Sequence, residues 1–117
     1  MEAVSRAKAE AIQAEYARQA QFRSSEDLAI CRQVARERFG VTDEHLYLID
    51  ILPDQFEDCV TILVWPGAVF KCEIVRNSRA LEEVSQGTLE DYRRCARGAH
   101  AKHLTIVLAV AESDQRA

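Results

Sequence analysis

Several residue types are scarce in this sequence, and each scarcity removes a class of protein or site. Four glycines and two prolines among 117 residues exclude collagen-like and Pro-rich low-complexity chains, and leave little scope for a glycine-rich phosphate loop. The apolar run over 104–111 is far shorter than the roughly 20 residues that cross a bilayer. The first residues contain no apolar block of a secretory signal. We therefore expect one soluble, cytoplasmic domain over 1–117.

Basic residues are missing from the middle of the chain. Positions 41–70 carry six acidic residues and no Lys or Arg, and the whole chain has a net charge of −4. A chain with this balance lacks the positive field that attracts nucleic acid. We therefore expect neither a nucleic-acid nor a membrane partner. Twelve arginines and 17 alanines are typical of a GC-rich bacterial gene.

The four cysteines have no metal-binding or redox spacing. They stand at 31, 59, 72 and 95, with no Cys-x-x-Cys pair. Each lies in an apolar pattern, where a thiol behaves as a small hydrophobic group. In a reducing compartment we expect four free thiols, and the spacing favours neither a structural metal nor a cofactor.

The N-terminal third has the composition of helices. Residues 2–22 are rich in Ala, Glu, Gln and Arg and predict a helix whose thin apolar stripe needs a partner surface. Ser24 and Asp27 have the capping-box spacing ahead of a second helix over 26–39. Gly40 is placed to end that helix. A single bent rod and a hairpin of two helices both fit this pattern.

Strand periodicity begins at His45. Segments 45–52 and 59–65 are β-branched and aromatic, as strands are. Pro66 and Gly67 predict a tight turn into a third strand over 68–76. A two-residue turn there would pair Leu63 with Phe70.

The C-terminal third carries mixed signals. Segment 79–84 predicts a short helix, and Thr88 with Asp91 predicts a capped helix over 89–102. The β-branched run over 103–110 predicts a buried strand, with continuation of the helix to 111 as the alternative. The expected fold is α+β in the order α-α-β-β-β-α-β. It has a helical segment over 2–39, an antiparallel meander over 45–76, and a C-terminal helix and strand over 88–111 packed on it.

The last helix carries two candidate sites. Arg93 and Arg97 stand one turn apart and could clamp a phosphate or carboxylate, although the neighbouring acids also suit a solvated face. His100 and His103 share a face and could meet one metal ion. They could equally bind the free carbonyl groups at the helix end. Since no third ligand stands at a diagnostic spacing, we expect no metal.

Three strand residues are the remaining candidates. Asp50 is flanked by Leu and Ile and would share a face with Leu46, Leu48 and Leu52. Burial there would make its carboxyl a candidate catalytic acid or base, whereas a position at a strand edge would only block pairing. Lys71 and Glu73 alternate with apolar residues on one face and could bind a ligand or form a solvated pair.

Both faces of the predicted meander are apolar. An exposed patch around Ile62, Val64 and Val69 would be large enough to mark an interface, and a symmetric homodimer is the commonest way to bury it. The sequence contains no nucleophile–base motif. Our first hypothesis is therefore a non-enzymatic homodimeric module that binds a protein or small ligand. The second is a small enzyme that uses Asp50 with a basic or imidazole partner.

Overall fold

In the computed structural model, which describes residues 6–117, two helices precede a four-stranded sheet and two helices follow it. The helices are α1 (Arg6–Arg23), α2 (Glu26–Phe39), α3 (Leu89–Cys95) and α4 (Gly98–Arg116). The strands are β1 (Leu46–Pro53), β2 (Glu57–Val64), β3 (Ala68–Val75) and β4 (Leu81–Thr88). The predicted α+β class, with N-terminal helices, a meander and a C-terminal helix, is confirmed. The part of the first predicted helix before residue 6 lies outside the described residues.

The sheet is an antiparallel meander in the order β1-β2-β3-β4. A three-residue loop, 65–67, joins β2 to β3, and its Trp65–Pro66 peptide is cis. Val64 therefore pairs with Ala68, and Leu63 pairs with Val69. The predicted pairing of Leu63 with Phe70 is wrong, because the extra loop residue moves the register by one and exchanges the side chains that share a face.

Helices cover both faces of the sheet, which makes the domain three-layered. On one face, α2 and the end of α1 pack over β1–β3; we call this the α2 face. Its buried side chains are Phe22, Leu28, Cys31, Val34, Ala35, Leu46, Leu48, Val60, Ile62, Val64, Phe70, Cys72 and Ile74. On the opposite α4 face, α3 and α4 cover Tyr47, Ile49, Leu63 and Val69, with Leu104, Val107 and Ala111 contributed by α4.

This arrangement corrects the expected dimer interface. Ile62, Val64 and Val69 are each at least 96% buried, although no second copy is present. The chain's own helices cover them, so these residues form no exposed apolar patch. A homodimer as such stays a prediction, but it needs another surface.

Three C-terminal elements differ from the sequence prediction. The predicted helix over 89–102 is interrupted, because α3 ends at Cys95 and α4 begins at Gly98. Segment 81–88 is β4, not a short helix followed by a break. Its backbone pairs along β3, and those ladder bonds outweigh the weak local preference of a segment with two Glu and one Gly. Segment 103–111 belongs to α4, so the helical alternative is correct. Leu104, Val107 and Ala111 recur at helical spacing and pack on the sheet.

The helix ends follow the sequence prediction in part. Gly40 ends α2 with φ of 65°, as expected of a left-handed glycine, and the Thr88 hydroxyl accepts a hydrogen bond from Asp91 N–H at 3.1 Å. The Ser24–Asp27 capping box is wrong. Ser25 is the N-cap residue, and its hydroxyl donates backward to Phe22 C=O at 2.7 Å. Asp27 instead bonds Arg79.

The first two helices are separate, since α1 ends at Arg23 and α2 begins at Glu26. The thin stripe of α1 does find a partner surface within the chain, because the helix contacts α4, β1 and α2. No helix among residues 6–117 is long and apolar enough to cross a membrane.

Candidate functional site

A β-bulge turns Asp50 toward the α4 face. Leu48 pairs with Ile62, but Asp50 pairs with Thr61, so Ile49 is an extra residue in β1. Such a bulge re-aims the side chains that follow it. The expectation that Asp50 shares a layer with Leu46 and Leu48 is therefore wrong. Those leucines belong to the α2 face, whereas the Asp50 side chain is only 25% exposed and lines a cleft on the opposite face.

The floor of this cleft is a row of polar side chains that crosses the sheet. The strand register sets Asp50 beside Thr61 and Thr61 beside Lys71. Because α4 covers only the apolar rows nearer Leu63 and Val69, this row stays open. The cleft has a volume of about 480 Å³ and is lined by Asp50, Leu52, Cys59, Thr61, Lys71, Tyr92, Cys95, Ala96 and His100.

The break between α3 and α4 supplies the wall of the cleft. Helix α3 ends at Cys95 and α4 begins at Gly98, which has φ of 56°. Tyr92 on α3 and His100 on α4 then meet edge to face, with ring centroids 5.6 Å apart. The Tyr92 hydroxyl lies 2.7 Å from His100 Nε2. On the other side of the imidazole, Nδ1 lies 3.6 Å from Asp50 Oδ2.

Burial, followed by the charge of Asp50, raises the pKa of Tyr92 to about 12. The phenol therefore stays protonated at neutral pH and acts as a hydrogen-bond donor. A proton on His100 Nδ1, the nitrogen that faces Asp50, leaves Nε2 as the acceptor for that donor. Asp50, His100 and Tyr92 thus form one polar chain from the sheet to α3.

Lys71 and Thr61 present unused polar groups to the same cleft. The Lys71 ammonium lies 5.7 Å from the centroid of the Tyr92 ring, within the range of a cation–π contact. No carboxylate of residues 6–117 lies within 4 Å of it. Thr61 is 3% exposed, and its hydroxyl has no hydrogen-bond partner in the described part of the chain. The hydroxyl and the ammonium therefore keep hydrogen-bonding capacity that a ligand in the cleft can use.

The other predicted site residues do not join this cleft. Glu73 lies one row farther along the sheet, beside Glu83. Burial, followed by the charge of Glu83, raises the pKa of Glu73. Arg93 lines a shallow pocket at the other end of α3. Arg97 stands outside both helices and donates to the carbonyl groups of Arg94 and Ala96. The two arginines therefore do not form a clamp on one helix.

The two imidazoles of α4 point to different partners. His100 contacts Tyr92 and Asp50, whereas His103 Nε2 lies 2.9 Å from Glu15 Oε1 on α1. A shared metal would need both imidazoles and further ligands around one point. Within residues 6–117, no group of three or more His, Cys, Asp or Glu side chains could hold a metal ion.

All four cysteines are free, as expected. Cys31 and Cys72 are buried in the core, where a hydrogen bond between them and burial raise the pKa of the Cys31 thiol. Cys59 and Cys95 both line the cleft, and burial raises the pKa of Cys59. Cys95 is exposed. It is therefore the thiol that a reagent reaches most easily from solvent.

Sequence reasoning identified Asp50, Lys71 and His100 separately and missed Tyr92 and Thr61 as their neighbours. Tyr92 stands eight residues before His100, and on one continuous helix the two would lie about 12 Å apart along the axis, too far for their rings to meet. The break at 96–97 alone brings the two rings together. No protein-family model matches the chain, and comparisons with curated proteins and with solved structures find no match.

Proposed function

We propose that this domain is a binding module for a small zwitterionic molecule, held in the cleft between the sheet and the α3–α4 junction. The observation that carries the proposal is the row Asp50–Thr61–Lys71 under the Tyr92–His100 wall. A carboxylate and an ammonium stand at its two ends, and between them lies a hydroxyl that makes no hydrogen bond within residues 6–117. A ligand with a cationic and an anionic end would satisfy all three groups.

The strand spacing sets the scale of this ligand. Asp50 and Lys71 lie two strands apart, about 10 Å between their backbones at roughly 4.8 Å per strand. Strand side chains stand roughly perpendicular to the sheet, so a gap of this size suits a molecule of dipeptide length. Tyr92 and His100 add ring surface and hydrogen-bonding groups above it. Pockets with a few convergent polar groups are the usual form of small-molecule sites.

Calorimetry with ligands of defined charge tests the proposal. We expect a panel of dipeptides and ω-amino acids to contain binders, and succinate and putrescine, which carry charges of one sign only, to bind far less well. Lys71→Ala and Asp50→Asn should each weaken binding at least about tenfold, as loss of a charged hydrogen bond does. Lys102→Ala removes an exposed lysine outside this cleft and is the matched control.

Cys95 provides a second readout without mutation. Because this exposed thiol lines the cleft, a bound ligand should slow its reaction with a maleimide. Binding that is equal for zwitterions and dicarboxylates, or that is unchanged in both variants, would contradict the proposal.

A second candidate function is acid–base catalysis by His100, which the Asp50–His100 contact favours. General acids and bases work best with a pKa near the operating pH, and the pKa of Tyr92 is about 12. Tyr92 therefore serves as a hydrogen-bond donor in the chain, and the geometry favours binding over proton transfer. Nuclear magnetic resonance of a bound ligand separates the two functions. Recovery of unchanged ligand supports the binding module, and turnover that His100→Gln abolishes supports the enzyme.

A further inference from the structure

The two edges of the sheet are treated differently by the rest of the chain. At the β1 edge, side chains of α1 bond the outward backbone groups of the strand. Gln19 accepts a hydrogen bond from Leu48 N–H at 2.8 Å and donates to Leu48 C=O at 2.7 Å. Arg18 also donates to Leu48 C=O, and Arg23 donates to Leu46 C=O, both at 2.8 Å. Helix α1 therefore closes this edge against another strand.

The β4 edge has no such cover. Leu89 N–H donates to Gly67 C=O. This hydrogen bond continues the β3–β4 ladder and fixes which residues of β4 bond to β3. In an antiparallel ladder, bonded and non-bonded pairs alternate. Ser85 and Gly87 therefore bond β3, and the N–H and C=O groups of Val84 and Gln86 point outward. No side chain among residues 6–117 is hydrogen-bonded to the backbone of β4.

The side chains of β4 also do little to prevent pairing. Natural edge strands carry Lys, Pro or inward charges for that purpose. The sequence of β4, Leu-Glu-Glu-Val-Ser-Gln-Gly-Thr, has no lysine or proline. Its protections are an irregularity near Glu82 and the charges of Glu82 and Glu83, all in the first half of the strand. From Glu83 to Thr88 the strand pairs regularly with β3.

We propose that the β4 edge pairs antiparallel with β4 of a second copy of this chain, which makes a two-fold dimer with one continuous eight-stranded sheet. The distribution of charge favours this occupant. Both charges of β4, Glu82 and Glu83, lie in its first half, and segment 84–88 is neutral. Two-fold antiparallel pairing sets the glutamates of one copy against the neutral half of the other. With Val84 opposite Gln86 of the partner subunit, Glu83 lies opposite Gly87 of the partner subunit.

The oligomeric state and one edge variant test this proposal. Light scattering over increasing concentration should reach about twice 13.2 kDa. Gln86→Pro removes an outward N–H but no bond to β3, and proline is tolerated on edge strands. Because two-fold symmetry repeats the substitution in both copies, two hydrogen bonds between the subunits are lost. Dimer affinity should therefore fall at least about tenfold. Gln86→Ala keeps the N–H and is the matched control, with circular dichroism to verify the fold.

Two further measurements decide the outcome if the proline variant fails to fold. Gly87→Lys should strengthen the dimer and Gly87→Glu should weaken it, because position 87 lies opposite Glu83 of the partner subunit and has room for a side chain. Hydrogen exchange at the amides of Val84 and Gln86 should slow as concentration rises, while exchange at Ser85 stays constant. A monomer at all concentrations overturns the proposal, and so does a dimer whose affinity does not change with the charge at position 87.

Discussion

The two edges of the sheet show opposite solutions to the same problem. Every edge strand exposes backbone groups that can pair with another strand. On β1 these groups are bonded by polar side chains of α1, whereas on β4 they face solvent. The comparison explains the composition of α1. Its buried residues are Glu15, Gln19 and Phe22, so two of the three serve hydrogen bonding rather than apolar packing.

A polar cluster anchors α1 in this position. Glu15 is 4% exposed. Its carboxylate accepts hydrogen bonds from Arg18 Nε at 3.1 Å and Gln19 Nε2 at 2.7 Å, and it lies 2.9 Å from His103 Nε2 on α4. A buried carboxylate is tolerated when it is paired and fully hydrogen-bonded. The cluster therefore joins α1, α4 and the β1 edge.

The largest expected effect comes from removing the glutamine that closes the β1 edge. Gln19→Leu leaves the Leu48 N–H without a partner at a buried site and removes one donor to Glu15. We expect the free energy of unfolding in urea to fall by about 3 kcal/mol, since each buried polar group left unpaired costs about 1–3 kcal/mol. Gln13→Leu, on the exposed side of α1, should change it little.

The same variant sharpens the contrast between the edges. If α1 keeps β1 from pairing with other chains, Gln19→Leu should also increase concentration-dependent association. An unchanged unfolding free energy together with unchanged association would mean that α1 does not close this edge.

A smaller effect is expected at the ion pair just before β1. Arg32 Nε donates to both oxygens of Asp43 at 2.8 Å, and this bond lowers the pKa of Asp43 from its ordinary 3.8. A lowered folded-state pKa contributes stability above the unfolded value, and that stability is lost as pH falls below it. Asp43→Asn should therefore lower the free energy of unfolding at neutral pH. It should also reduce the further loss of that free energy as pH falls below 3.8. If urea titrations gave unfolding free energies with the same pH dependence for the variant and the unmodified protein, they would contradict this prediction.

The smallest effect, opposite in sign, is expected on the β4 side. Burial and the charge of Glu83 raise the pKa of Glu73 above its ordinary 4.5. The folded protein then binds this proton before the unfolded chain does, so acidification from neutral pH through that range adds stability. Glu83→Gln should slightly stabilise the protein at neutral pH and reduce this gain. Gln86→Ala, on the same strand, should change neither quantity and is the control. A Glu83→Gln variant that is less stable at neutral pH would show that the two carboxylates do not repel each other.

The sequence alone was sufficient to predict the elements whose local signals agree with each other. The first three strands are β-branched and bounded by turns. Gly40 and Thr88 mark helix ends by chemistry that acts within a few residues. The same reasoning failed for β4, whose local preference is weak and whose strand conformation depends on pairing with β3. It also failed for segment 103–110, where β-branched residues favoured a strand although a helical stripe packs on the sheet.

Residue types and their order therefore determined the α+β class, the first three strands, the free thiols and the separate candidates Asp50, Lys71 and His100. Only the tertiary structure decided which of them meet. The β1 bulge turned Asp50 to the α4 face, the helix break placed Tyr92 against His100, and the path of α1 closed one edge and left the other open. These features depend on contacts between residues far apart in the chain, and periodicity within one segment carries no information about them.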